Sequence, residues 1–371
     1  MHHYLKHAFL IAVVPLVAGL LVLAPRWAFM APLFLMAFHV ALDMGTSRDT
    51  TVPSYRFPRV VDAYLYLHIA VTVFCLAMLL WFAAGPASWL ELLGASFTVG
   101  FLISGSTLVG HELTHRVTDR FAMLAGRVSL ALVGDAQFSI SHVYGHHVNV
   151  ATAKDAATAR RGENLYAFAV RSTLGQYREA WQIERRRLRG RSRRARALAN
   201  RVISGLGMTA VVLAVFWLFA GWRGLAAYAL VWASTKFMFE AVNYIEHYGL
   251  LRVPGSPVEA RHSWDCSTRA ACNILLNLPR HAHHHADPSV KYWALRPTEG
   301  SPDLPYGYIA HIALAMIPPL WHRFSAPRLA EWDATMATPG ERELAALANR
   351  LSGHRLLVRA AIPGERPSPI N

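Results

Sequence analysis

The chain has 371 residues, 54% of them hydrophobic and only 16% charged, with a formal net charge of +14. Water-soluble domains carry charge on about a quarter of their residues, so the composition excludes an ordinary soluble enzyme and makes lipid part of the solvent. The basic residues cluster beside apolar runs and are not interleaved with aromatics, which excludes nucleic acid as the partner.

Six apolar stretches have roughly the length of a bilayer-crossing helix: residues 9–24, 27–42, 63–84, 88–110, 202–220 and 224–244. The first follows Lys6 with no small-residue cleavage site after it, so it reads as a retained span and not a removed signal. Pro25-Arg26 joins the first two as a hairpin. Between positions 185 and 196 stand eight arginines, which mark the cytoplasmic side and offer a docking surface to an acidic redox partner. With that run inside, the fourth span ends in the cytoplasm at His111, the fifth leaves near Arg201 and the sixth returns near Tyr244. Both termini are then cytoplasmic, in a multi-pass protein of the inner membrane. Insertions 111–201 and 245–305 lie beneath the bundle, and 1–371 is one membrane-embedded domain. Residues 309–321, short and interrupted by Pro318-Pro319, read as an interfacial or re-entrant segment. Lys236 and Glu240, four apart near the inner end of the sixth span, read as an interface pair. The expected fold class is all-α, integral to the membrane, with six transmembrane helices and a cytoplasmic histidine-rich site.

Three cysteines (Cys75, Cys266, Cys272) are too few and scattered for a disulfide framework or a four-cysteine metal site. The 19 histidines carry the signal. They form His111-Glu-Leu-Thr-His115, His142-Val-Tyr-Gly-His146-His147, a single His247 in Asn-Tyr-Ile-Glu-His-Tyr-Gly, and His281-Ala-His-His284-His285. The i,i+4 spacing of the first puts both rings on one helix face. In the second and fourth, one turn of helix aligns the leading histidine with one member of the pair, while the other points about 100° away. That divergence lets one segment serve two neighbouring metals. Imidazole suits iron, zinc and copper alike. HELTH also fits the zinc-protease H-E-x-x-H pattern with Glu112 as base, a reading that leaves most of the other histidines without a role. His39, His68, His262, His311 and His322 read as packed or surface residues.

HxxxH, HxxxHH and HxxHH resemble the three histidine boxes of the membrane fatty-acid desaturase and hydroxylase superfamily. Asn-Tyr-Ile-Glu-His-Tyr-Gly-Leu at 243–250, His262-Ser-Trp264 and the box at 279–288 resemble bacterial alkane monooxygenases. GDAQFSISHVYGHH, RGENLYAFAVRSTLGQYREAWQIE and the tail WDATMATPGERELAALAN are more similar to the hydroxylase component of xylene monooxygenase. The resemblance runs from about residue 40 to about 350, including PPLW at 318–321.

It implies nine metal ligands: His111, His115, His142, His146, His147, His247, His281, His284 and His285. The implied cofactor is a non-haem pair of iron ions, with O2 as co-substrate. His283 stands where alkane monooxygenases tend to have Asp. Glu112, Glu246, Asp265 and Asp287 are the acids placed to orient ligand rings. The implied reaction is hydroxylation of a terminal or benzylic methyl group of an n-alkane or alkyl-aromatic, with a fatty-acyl desaturase or lipid hydroxylase as the alternative. The chain has no rubredoxin-type cysteine pairs, flavin fold or dinucleotide fingerprint. Electrons must therefore come from outside, and the resemblance implies rubredoxin or a flavin/[2Fe–2S] reductase. Glycines and small residues of the fourth span (Gly100, Ser104, Gly105, Gly110) could leave a hydrocarbon channel or simply pack helices closely.

Overall fold

Prolines and capping residues punctuate the helices of this chain. The computed structural model describes residues 2–360. Among these residues the only extended pairings are two isolated bridges, Arg48 with Thr268 and Asp265 with Asp303; everything else regular is helical. After the helix Phe9–Leu23, Pro25 opens a short turn. The second apolar helix therefore runs Met30–Gly45, three residues later at both ends than hydropathy alone places it. Pro58 opens Pro58–Ala84, and a Ser88/Glu91 capping box opens Trp89–Leu102. The expected single helix over 88–110 is broken at Ile103–Ser104 and resumes as Gly105–Thr114. Side-chain hydroxyls compete with the helix there: Ser104 Oγ donates to the Phe101 carbonyl and Thr107 Oγ1 to that of Ser104.

The 47-residue run Arg201–His247, if straight, would measure about 70 Å, more than twice the hydrocarbon thickness of a bilayer. It breaks at Gly221, whose φ of 55° costs glycine little. Thr209 and Tyr228, on opposite sides of the break, both donate to the Ala131 carbonyl, at 3.1 and 3.3 Å. The two arms are thus a hairpin, turned on one glycine and not on the three-residue link that hydropathy placed there.

By length and composition Pro58–Ala84, Trp89–Thr114 and Arg201–His247 can cross a membrane, and Met30–Gly45 is a shorter apolar helix. Phe34, Trp81, Leu218 and Trp222 stay exposed on these helices, a girdle that would aggregate in water and is at home in lipid. The nine box histidines gather at one end, and Arg120–Leu132 and Leu165–Arg187 pack against the long hairpin. Residues 309–321 face both inward and outward, with Ile317 and Leu320 exposed. Pro318 starts a new helix after Tyr308–Ala315, and Tyr308, Ile312 and Trp321 are buried in the core beneath the bundle.

Lys236 and Glu240 also depart from the expected interface pair. Both are buried, and Lys236 Nζ lies 2.6 Å from Glu240 and 3.0 Å from Asp135, with Gln176 at 3.1 Å. The ammonium joins the hairpin to the 133–137 turn and to Leu165–Arg187. Removing it strands two carboxylates in the interior. Lys236→Met is expected to cost about 3–5 kcal/mol, read as a lowered unfolding midpoint of the purified protein, whereas Lys154→Met at the exposed surface leaves the midpoint unchanged.

Candidate metal centre

The helix Gly105–Thr114 carries His111 in its last turns, with His115 as its C-cap. It is held against Arg120–Leu132 by two facing glycines. A Cβ on Gly110 would meet Leu130 and the Gly126 carbonyl, and one on Gly126 would meet Leu113 and the Gly110 carbonyl. This close approach sets the height of the HxxxH pair.

The second box is not α-helical. His142–His146 forms a single π-turn, with the His147 N–H donating to the His142 carbonyl. The wider turn aligns His142 with His147, five residues on, and not with His146 four residues on. Their Nε2 atoms lie 3.1 Å apart, while His146 points into a second group. The expected divergence is present, and the π-turn makes His147 the member that joins His142. In the last box, on the helix His281–Ala286, His281 and His285 go one way and His284 the other.

The nine rings form two abutting groups. His111, His115, His142, His147 and His284 make the first, and His146, His247, His281 and His285 the second; within each, one donor atom per residue lies within 4.8 Å of the rest. The His147 and His285 rings stack across the boundary, 4.4 Å between centroids.

Two observations test whether these groups suit a metal. With metal–imidazole bonds of about 2.0–2.1 Å, ligands at right angles stand about 2.9 Å apart. The Nε2 atoms of His247 and His281 are 3.1 Å apart, and those of His281 and His285 3.0 Å. Nε2 of His111, His115, His146 and His284 is buried with no protein partner, an arrangement that is costly unless a cation takes the lone pairs. Burial, and then the neighbouring histidines, drive His281, His284 and His285 well below the ordinary imidazole range. They are neutral, the form that binds metal. The residues fit.

Ring orientation is set from behind. Asp155 Oδ2 accepts from His146 Nδ1 at 2.8 Å, and that carboxylate is itself held by Thr158 Oγ1 and the Ala157 N–H. His247 Nδ1 donates to the His262 carbonyl at 2.9 Å, and His262 Nε2 is anchored on Glu341 at 2.8 Å. Glu341 caps Pro339–Leu351 and pairs with Arg261. Burial alone would raise its carboxyl, but Arg261, the Thr338 amide and His262 hold it at about 2. Of these anchors only His262 stands out in the sequence, as part of His262-Ser-Trp264 and without an assigned role. Asp155 lies in an irregular loop, and the 262–341 pairing is a tertiary contact without local periodicity.

The four acids singled out from the motifs behave differently from one another. Glu246 Oε1 sits 3.3 Å from His281 Nδ1. Asp265 accepts from the Ala282 N–H at 2.7 Å, so it positions a helix start and not a ring; burial pushes it up to about 7. Glu112 is engaged by Arg116 at 2.9 Å. Asp287 is exposed, its carboxylate taken by the Ser289 N–H and hydroxyl. His283 lies outside both groups and accepts from the Arg296 N–H. HELTH is thus part of a crowded imidazole site, not the open three-ligand site of a zinc protease.

Residues 87–314 match the fatty acid desaturase family, and the chain belongs to it. The alkane 1-monooxygenase of Ectopseudomonas oleovorans is 31% identical over 296 residues, 78% of this chain and 74% of that protein. Alkane 1-monooxygenase 2 of Pseudomonas aeruginosa is 33% identical over 282 residues, 73% of this chain and 74% of its own length. The xylene/toluene monooxygenase hydroxylase component XylM of Pseudomonas putida is 32% identical over 269 residues, covering 71% and 72%.

Removing the acceptor behind His146 by Asp155→Asn is expected to weaken metal binding about 10–100-fold, measured by metal titration and bound-metal analysis. Asp287→Asn is expected to leave it unchanged.

Proposed function

We propose that this chain is a membrane monooxygenase that hydroxylates a terminal or benzylic methyl group of an apolar hydrocarbon, RH + O2 + 2 e− + 2 H+ → ROH + H2O. The observation that carries the reading is the double histidine group at the end of an apolar helix bundle. His111, His115, His142, His147 and His284 would hold one iron ion, and His146, His247, His281 and His285 the other. Iron held there supplies the redox chemistry with O2 that unactivated C–H bonds require and side chains lack.

The chain's own residues do the rest. An apolar pocket of about 80 Å³ lies at the Ile103–Ser104 break, walled by Leu35, Phe101, Leu102, Leu108, Leu275 and Ile309. Its polar groups are satisfied internally: Ser104 Oγ donates to the Phe101 carbonyl, and His39 Nδ1 to that of Leu35. Leu108 and Leu275 also border the next, smaller space, which reaches His111 and His284. A hydrocarbon dissolved in the membrane can therefore present its end to the first histidine group with water excluded. This favours an apolar substrate over an acyl chain carrying a polar head, which would need buried partners. It also gives Ser104 and Gly105 a role at the helix break, while Gly110 packs helices.

The two arms of the long hairpin, together with Phe9–Leu23, Met30–Gly45, Pro58–Ala84 and Trp89–Thr114, support six crossings in one domain, with the histidine end and the 185–196 arginines in the cytoplasm of an inner membrane. The eight arginines of that run, all exposed, favour an acidic electron donor, either rubredoxin or a flavin/[2Fe–2S] reductase.

The test is a product assay in cells expressing the chain with both donor types and fed n-octane and p-xylene together. 1-Octanol or 4-methylbenzyl alcohol, identified by mass spectrometry, is the expected product; neither alcohol would sink the reading. His284→Ala should abolish product while the protein still enters the membrane fraction. With electron delivery limiting, added salt should depress the rate steeply, and a salt-independent rate would count against docking on the arginine face.

A further inference from the structure

Two motif elements have no role in the site as described, the tyrosines flanking His247 in Asn-Tyr-Ile-Glu-His-Tyr-Gly and the Trp of PPLW. The fold stacks them together. Tyr248 directly follows His247, and its ring lies 5.1 Å from that of Trp321. Trp321 stands 6.5 Å from His311, and His311 6.1 Å from Tyr306, centroid to centroid. Tyr248 and Trp321 are buried, while Tyr306 is 42% exposed. An aromatic row thus runs from a residue bonded to the second histidine group out to solvent.

The hydrogen bonding singles out one member. The Tyr244 hydroxyl donates to the Glu163 carbonyl, that of Tyr292 to Val61, and that of Tyr308 to Trp264. A carbonyl cannot take a proton away. Tyr248 instead lies 3.0 Å from Nδ1 of His322, and its oxygen accepts from the Gly162 N–H at 3.1 Å. With the imidazole proton on Nε2, His322 Nδ1 is a base in place to receive the phenolic proton.

We propose that Tyr248, Trp321 and Tyr306 form an escape route for oxidising equivalents when O2 is consumed without hydrocarbon. This rests on the oxygenase reading. Complete reduction of O2 to two waters takes four electrons and four protons. In hydroxylation, RH supplies two of the electrons; without RH, they must come from the protein. One electron leaves the Tyr248 ring for the one-electron oxidant formed from O2 at the histidine site. Its O–H bond breaks, an N–H bond forms at His322 Nδ1, and a neutral tyrosyl radical remains. An electron from Trp321 refills Tyr248 as the proton returns, Tyr306 refills Trp321 across the His311 spacer, and the external donor refills Tyr306 at the surface. The row works in this direction only. Phenol and indole rings can be oxidised by a strong oxidant, but a biological donor cannot reduce them.

Reduced enzyme is mixed with O2 and freeze-quenched, with and without whichever of n-octane and p-xylene it hydroxylates. A tyrosyl-type paramagnetic resonance signal is expected only without hydrocarbon, and it should be lost in Tyr248→Phe. With hydrocarbon, that variant should hydroxylate at the wild-type initial rate. Without it, the variant should inactivate several-fold sooner, with oxidised His247 found by peptide mass spectrometry. Trp321→Phe should keep the signal, lengthen its life and remove oxidation from Tyr306. An undiminished signal in Tyr248→Phe, an unchanged signal lifetime in Trp321→Phe, or a wild type with no protein radical each overturns the route. A wild type that hydroxylates no hydrocarbon overturns the oxygenase reading instead.

Discussion

Nine imidazoles crowd a nearly dry interior, where charge is penalised and an unpaired ring nitrogen is costly. A protonated ring there would face eight neighbours at short range and no solvent. Much of the architecture answers this requirement. The inward nitrogens converge on two points where a cation can sit, the outward ones of His146 and His247 are taken by Asp155 and the His262 carbonyl, and Glu246 lies beside that of His281. The glycine contact between Gly110 and Gly126, the π-turn at His142–His146 and the end of the long hairpin at His247 set where the rings start. The surrounding anchors set where they point.

The apolar part of the molecule follows from the same site. On the proposed reading, a helix bundle with an exposed apolar skin and a small apolar pocket beside the histidines takes in a substrate with no polar handle. Affinity for such a molecule comes from desolvation and shape alone. On that reading, regiochemistry rests on how far the chain end can advance past Leu108 and Leu275, which line both cavities.

Much of this is legible from residue order. The histidine spacing announces the ligands because i,i+3 and i,i+4 intervals have geometric meaning on a helix, and the apolar runs announce the bundle because lipid demands length. What stays hidden is whatever depends on tertiary closure. The π-turn is invisible because local sequence there reads as ordinary helix, so spacing alone leaves open which member of the pair His142 joins. Asp155 lies in an irregular loop, and the bond from His262 to Glu341 spans 79 positions. Lys236 reads as an interfacial cation because its burial depends on Asp135 and Gln176, which come from two other segments. Asp287, adjacent to the histidine box in sequence, turns outward for the opposite reason: the helix His281–Ala286 ends before it.

The Glu341 anchor has a consequence for biogenesis. His247 emerges from the ribosome early and is stationed at the foot of a membrane hairpin, yet its ring is steadied through His262 by a helix that begins at Pro339. Until that helix has left the ribosomal tunnel and docked, His247 lacks the His262–Glu341 support for its ring. A helix late in the chain thus acts as the clasp on a histidine group assembled from segments made well before it.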